Sequence, residues 1–286
     1  MLTILLDGIA YGMLLFVIAS GLSITLGLMN FINLAHGVFA MAGGYATAAL
    51  MNRAGFSFFA SLPLAFLASA LVGLLLERLL YRHVYTRSHL DQVLFTIGLV
   101  FMATAGTDYV MGSTEQAIRL PEILRGRTEF LGATIGNYRL FVIVVCGLLA
   151  FSVQWLMVRT RFGSRLRAAV DDPRVARGLG IEVSFIFAVT FAIGSGLAGL
   201  GGALGAEILG MNPRFPVTYL IYFLIVVTVG GTTGVTGTFF AALLLGVADV
   251  AGKYYMPQVG AFVIYAVMVI VLILRPQGLF ARPGGR

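Results

Sequence analysis

Nine apolar stretches, separated by short polar segments, decide what this chain can fold into. They run over Leu2–Leu26, Phe31–Met51, Phe58–Leu80, Val93–Met111, Leu140–Val158, Ser184–Leu209, Val217–Val229, Phe239–Ala251 and Val259–Leu274. An α-helix needs about 20 apolar residues to cross the hydrocarbon core of a bilayer. Backbone polar groups inside lipid must be satisfied within the segment, which selects helices for such stretches. Of the 286 residues 59% are hydrophobic and only 11% charged, whereas a soluble domain carries about a quarter charged. The 36 glycines suit close packing between membrane helices. The expectation is an all-α, polytopic transmembrane helix bundle of about 8–9 spans, forming a single domain over residues 1–286. The seventh and eighth stretches are short and flank a glycine-threonine run. Two spans, one broken helix and a re-entrant pair all fit, so broken or re-entrant elements are expected.

The net charge of +7 does not point to nucleic acid, because the cations sit in short segments between apolar stretches, as membrane topology demands. Arg78, Arg82 and Arg87 surround the end of the third stretch. Arg159, Arg161, Arg165, Arg167, Arg174 and Arg177 follow the fifth. By the positive-inside rule both segments are cytoplasmic. The segment 112–139 has a nearly balanced charge and is expected outside, and the tail with Arg275, Arg282 and Arg286 inside. Counting back puts the N-terminus outside. Met1–Gly12 has no Lys or Arg, so it reads as a retained helix and not as a cleaved signal. The lone Cys146 allows no disulfide within the chain.

The segment 159–184 is too polar for the membrane and too long for a turn. Asp171-Asp172-Pro173 is a helix start, with Asp as N-cap and Pro at the first helical position, and the helix over Arg174–Leu179 stops at Gly180. A shorter helical piece covers Ser164–Val170, and Arg167 and Asp171 stand at the i,i+4 spacing of an ion pair. Two short Arg- and Ala-rich surface helices suit docking into a groove on another protein. A solvated basic loop that only anchors topology fits equally well.

Two intramembrane regions keep polarity. Asn30, Asn33 and His36 recur at spacing three, and Asn30 with Asn33 can share a helix face. Amides and an imidazole in lipid must be paired or face a cavity, so a polar pathway and interhelical hydrogen bonding are both open, as is a helix break at Gly37. For His36 a satisfied buried histidine is the simpler reading. Gly230, Gly231, Thr232, Thr233, Gly234 and Gly237 form the second region, either a kinked or re-entrant element whose hydroxyls satisfy freed carbonyls or a plain turn. Phe16-x-Ile18-x-Ser20-Gly21-Leu22 recurs as Phe191-x-Ile193-x-Ser195-Gly196-Leu197, too short an echo to call a repeat.

Catalytic motifs are missing. There is no G-x-x-x-x-G-K-[ST], and the only lysine, Lys253, is followed by Tyr254. There is no H-E-x-x-H and no G-x-S-x-G; His83 and His89 read as loop residues. Asp7, Asp108, Glu207 and Asp249 fall near the outer ends of stretches, so a deep carboxylate relay is not evident. The chain is expected to be no enzyme, without catalytic, metal or cofactor-binding residues, and its energy to come from a partner. Sodium coupling through carbonyls and hydroxyls is compatible with the same residues.

Gly163…Leu166-Arg167-Ala168…Asp171…Ala176…Gly180-Ile181 resembles the coupling segment of permeases of ATP-binding-cassette importers. Asn30-Phe31-Ile32-Asn33-Leu34-Ala35-His36-Gly37, Gly194-Ser195-Gly196-Leu197-Ala198-Gly199, Gly230-Gly231-Thr232-Thr233-Gly234 and Arg275-Pro276-Gln277-Gly278-Leu279-Phe280 narrow the resemblance to the branched-chain amino acid permeases of LivH type. The pattern departs at Thr233, where a Gly-Ser pair is usual. The resemblance implies an importer subunit in the bacterial cytoplasmic (inner) membrane. Its implied partners are a second permease, identical or homologous, two cytoplasmic ATPase subunits that hydrolyse the ATP, and an extracytoplasmic binding protein. It implies ATPase coupling through Gly163, Arg167, Ala168, Asp171, Ala176, Gly180 and Ile181. A translocation path past Asn30, Asn33, His36, Gly230, Gly231, Thr232 and Gly234 is the matching expectation. The alternatives are a permease of the same family for urea or amides and a self-sufficient carrier or channel.

Overall fold

The computed structural model describes residues 1–27, 29, 31–130, 132–231 and 234–280. Its helices are α1 (Leu2–Gly27), α2 (His36–Asn52), α3 (Phe58–Leu79), α4 (His89–Met111), α5 (Glu122–Arg125), α6 (Asn137–Arg159), α7 (Arg161–Asp171), α8 (Pro173–Gly178), α9 (Val183–Leu209), α10 (Phe215–Gly230), α11 (Val235–Tyr255) and α12 (Gly260–Leu274). Each of the nine apolar stretches contributes a helix. Among the described residues, six helices are long and apolar enough to cross a membrane, and α10 and α12 are shorter apolar helices. The departure from an all-α chain is a small antiparallel hairpin, β1 (Arg127–Phe130) with β2 (Ala133–Gly136), pairing Thr128 with Ile135. The hairpin lies before α6 and α7–α8 after it, so they mark opposite ends of the bundle.

Local chemistry sets the helix starts. The Ser57 hydroxyl accepts the N–H of Ala60 at 3.3 Å to begin α3, and Ser88 accepts that of Asp91 at 3.2 Å to begin α4. The second stretch begins its helix later than expected. Phe31–Ala35 is not helical and α2 starts at His36, so Asn33 lies on no helix face, and Asn30 lies outside the described residues. The seventh and eighth stretches are two helices lying side by side. A Cβ on Gly230 would come within 2.6 Å of the Thr238 backbone nitrogen, which a single broken helix would not allow. α11 starts four residues before its apolar run, because Val235 and Gly237 are buried against α10.

α1 and α9 are the most buried long helices. α1 lies along α11, α9 along α3 and α2, and the two touch each other. Glycines set these distances: a Cβ on Gly12 would sit 2.6 Å from the Ala242 carbonyl oxygen, and one on Gly21 2.5 Å from that of Gly194. Helix backbones approach this closely only where side chains are absent. The echoed Phe16–Leu22 and Phe191–Leu197 segments are thus the places where the central pair meets. α4 is the least buried of the six long helices, touching only α2 and α10 among the helices with substantial contact.

Candidate functional site

The segment between α6 and α9 folds as a shaped, exposed unit. α7 is amphipathic and buries Gly163, Leu166 and Ala169 against α6 and α9. A side chain at Gly163 would collide with the Met157 carbonyl. The Arg167 guanidinium donates to that same carbonyl, satisfying the last turn of α6. The expected Arg167–Asp171 ion pair is not formed among the described residues, because the guanidinium is drawn back to α6. Asp172 is the N-cap of α8, its Oδ1 accepting the N–H groups of Arg174 at 2.8 Å and Val175 at 3.1 Å. Gly180 closes α8 with φ +79°. There the Ile181 N–H donates to Ala176 at 3.0 Å and the Gly180 N–H to Arg177 at 3.0 Å, the paired bonds of a Schellman cap.

The motif residues therefore divide. Gly163 and Ala176 are buried, Ala168 and Ile181 half-buried, and Arg167 is bound to α6, so these five shape the segment. Asp171 and Gly180 are exposed. What α8 presents outward is an apolar pair one turn apart, Val175 at 59% exposure and Leu179 at 75%, flanked by Arg174 and Arg177. Sequence reading missed Val175 and Leu179. Their signal was the i,i+4 spacing of two aliphatic residues on a helix with no core left to face.

The two polar regions lie at the same end of the bundle as α7 and α8. Asn33 is fully buried; its Oδ1 accepts the Tyr81 hydroxyl at 3.2 Å and the Ala35 N–H at 3.1 Å, while its Nδ2 has no partner among the described residues. α4 holds the same stretch: Gln92 Oε1 accepts the Ile32 N–H at 3.2 Å and Thr96 Oγ1 that of Leu34 at 3.3 Å. His36 is buried with Nε2 2.8 Å from the Ile18 carbonyl, the satisfied histidine that its position suggests. On the other side of α1, Ser23 and Thr238 share a hydrogen bond of 2.7 Å. Gly231 (φ +85°) and Gly234 (φ +155°) bound the second break; Thr232 and Thr233 lie outside the described residues. The C-terminal motif closes over this break. Leu279 N–H donates to the Val229 carbonyl at 2.8 Å, Phe280 stacks on Phe240 at 5.2 Å, and a Cβ on Gly278 would meet Gly231 at 2.6 Å.

Two carboxylates toward helix ends are buried. Glu77, which sequence reading passed over, is buried near the end of α3, 3.8 Å from Arg78 and accepting the Tyr85 hydroxyl at 3.3 Å. Burial, with the Glu77 charge beside it, pushes the Tyr85 phenol well up, so it stays a donor. Asp249 is 1% exposed and pairs with Lys253 at 2.6 Å. At the hairpin end, Asp7 pairs with Arg139. Among the described residues no group of three or more His, Cys, Asp or Glu is placed to hold a metal.

A family model described as the permease component of the branched-chain amino acid transport system matches residues 4–272. The permease protein BraD of the high-affinity branched-chain amino acid transport system of Pseudomonas aeruginosa is 30% identical, covering 98% of this chain and 95% of its own length. LivH of Escherichia coli K12 is 26% identical over 97% of this chain and 94% of its own. LivM of Salmonella typhimurium, named as a permease of the same kind of system, is 26% identical over 93% of this chain and 68% of its own length. No solved structure matches the chain. A match that runs through every helix from α1 to α12 leaves one assignment: this chain belongs to the branched-chain amino acid transport permease family.

Proposed function

We propose that this chain is a permease subunit of an ATP-binding-cassette importer that carries branched-chain amino acids from an extracytoplasmic binding protein into the cytoplasm. It works with a second permease, identical or homologous, and two ATPase subunits that hydrolyse the ATP. The N-terminus and the hairpin lie outside the bacterial inner membrane; α7, α8 and the C-terminus lie inside. The single domain spans residues 1–286, with 159–184 as its coupling loop. The observation that carries this reading is α8: a short helix capped at both ends that holds Val175 and Leu179 out, away from the bundle. Exposed apolar side chains beside arginines suit a groove on a partner, and the arginines favour the cytoplasmic side.

Motion of α8 would reach the bundle through Gly163 and Arg167, which tie α7 to the end of α6, and through Ile181 at the start of α9. Asp171, Ala168, Ala176 and Gly180 keep the segment in shape. Asn33, His36, Gly230, Gly231 and Gly234 lie at the α1–α2 and α10–α11 connections beside the inner end of α1, and Asn30 and Thr232, outside the described residues, join them by sequence position. Connections of this kind expose backbone groups that serve a solute crossing the membrane.

Reconstitution with candidate ATPases and a candidate binding protein, with leucine uptake measured with and without ATP, tests the assignment. Uptake that needs ATP and all partners is expected. Uptake by this chain alone would overturn it.

A further inference from the structure

At the hairpin end a cavity of about 400 Å³ opens between α4 and the start of α10. Thr104, Asp108, Ser113, Glu115, Arg214 and Thr218 line it. Its size falls within the range of small-molecule clefts. Asp108, Glu115 and Arg214 line this one open space, all three exposed, and none has an ion-pair partner among the described residues. The Thr104 hydroxyl is buried there without a hydrogen-bond partner among the described residues. The cavity walls are held in place: Asn212 Oδ1 accepts the Arg214 N–H at 3.0 Å, and the Gln116 N–H donates to the Met211 carbonyl at 2.8 Å. Across α4 runs an apolar groove lined by Val38, Met41, Ala103, Val110 and Met111. Tyr45 also lines it, only 6% exposed, its hydroxyl unpartnered among the described residues and within reach of the Asp108 charge.

We propose that this cavity receives the charged head of a zwitterionic amino acid as it enters the membrane. Arg214 takes the carboxylate as a bidentate partner, and Asp108 and Glu115 take the ammonium. The aliphatic tail turns toward the groove on the neighbouring face of α4. A solute lacking either charge would lose one of the two charge-assisted contacts, which is what makes such a site selective. Unlike the breaks around Asn33 and Gly231, which lie at the α7–α8 end, this site faces the side from which an import substrate arrives. The inference rests on the importer reading above.

The test uses the full complex in proteoliposomes, with leucine uptake at saturating binding protein and, separately, docking of leucine-loaded binding protein to the immobilised complex. Arg214→Ala is expected to lower uptake about tenfold or more, Arg214→Lys to recover part of it, and Asp108→Asn to lower uptake as well. Docking should stay within about twofold of wild type in all three. Unchanged uptake in both Arg214→Ala and Asp108→Asn overturns the site. So does weakened docking whose uptake defect disappears when more binding protein is added, because these charges would then belong to the protein–protein contact. A wild-type complex that takes up no leucine defeats the importer reading itself, before any variant is compared.

Discussion

The Ile181 backbone N–H reaches back to the Ala176 carbonyl at 3.0 Å and closes α8 over Gly180. With φ at +79°, Gly180 occupies the left-handed region, which costs an L-residue about 1–2 kcal/mol. Gly180→Ala is expected to loosen the end of α8, with Gly180→Asn milder because Asn tolerates that region better. Limited proteolysis of membrane vesicles, scored by cleavage at Arg174 and Arg177, reads the difference. Equal cleavage in Ala, Asn and wild-type chains would show that the cap does not hold α8.

Asp172 provides the cap at the other end. Removing an N-cap side chain costs about 1 kcal/mol, and α8 has only six residues to absorb the loss. Asp172→Ala should raise proteolysis of the loop, and Asp172→Ser should restore resistance because a hydroxyl also accepts the two N–H groups.

Val175 and Leu179 are expected to enter the ATPase. Val175→Glu combined with Leu179→Glu should abolish co-purification of the ATPase subunits while membrane insertion of the permease persists. Both side chains are exposed, so the fold has little to lose. Co-purification that survives the double change would remove α8 from the coupling role.

Lys253 and Asp249 form an ion pair with unequal burial: Asp249 is 1% exposed and the lysine side chain half-exposed. Removing one partner of a buried pair costs about 3–5 kcal/mol, while replacing both is often neutral. The exposed lysine puts the expected loss below that range. Lys253→Met should lower the melting temperature in detergent, and Lys253→Met with Asp249→Leu should recover most of it. A double variant as unstable as the single one would mean that Asp249 acts through contacts other than Lys253.

Gly21 lies where α1 crosses α9, and a Cβ there would sit 2.5 Å from the Gly194 carbonyl oxygen and 2.7 Å from His36. Overpacking of this kind costs about 1–3 kcal/mol. Gly21→Ala should therefore lower the melting temperature, whereas Gly147→Ala, which meets nothing within 4 Å, should not. A Gly21→Ala chain as stable as wild type would show that the crossing can widen.

The membrane-helix class was legible in the linear order of residues. Runs of apolar residues near 20 long have few alternatives in lipid, and each of the nine contributes a helix. The local fold of 159–184 was legible too, because Asp172, Pro173 and Gly180 are local punctuation whose chemistry acts over three or four residues. Contacts between distant residues were not. The helix start at His36 instead of Phe31 depends on Gln92 and Thr96, about 60 residues away, binding the Ile32 and Leu34 N–H groups. The side-by-side arrangement of α10 and α11 depends on Gly230 meeting Thr238, and the closure of the second break on Leu279. Periodicity carries no information about such partners. Nor could it distinguish Asp108 and Arg214, more than 100 positions apart, from ordinary solvated charges. Only the folding of α4 against the start of α10 brings them to one cavity.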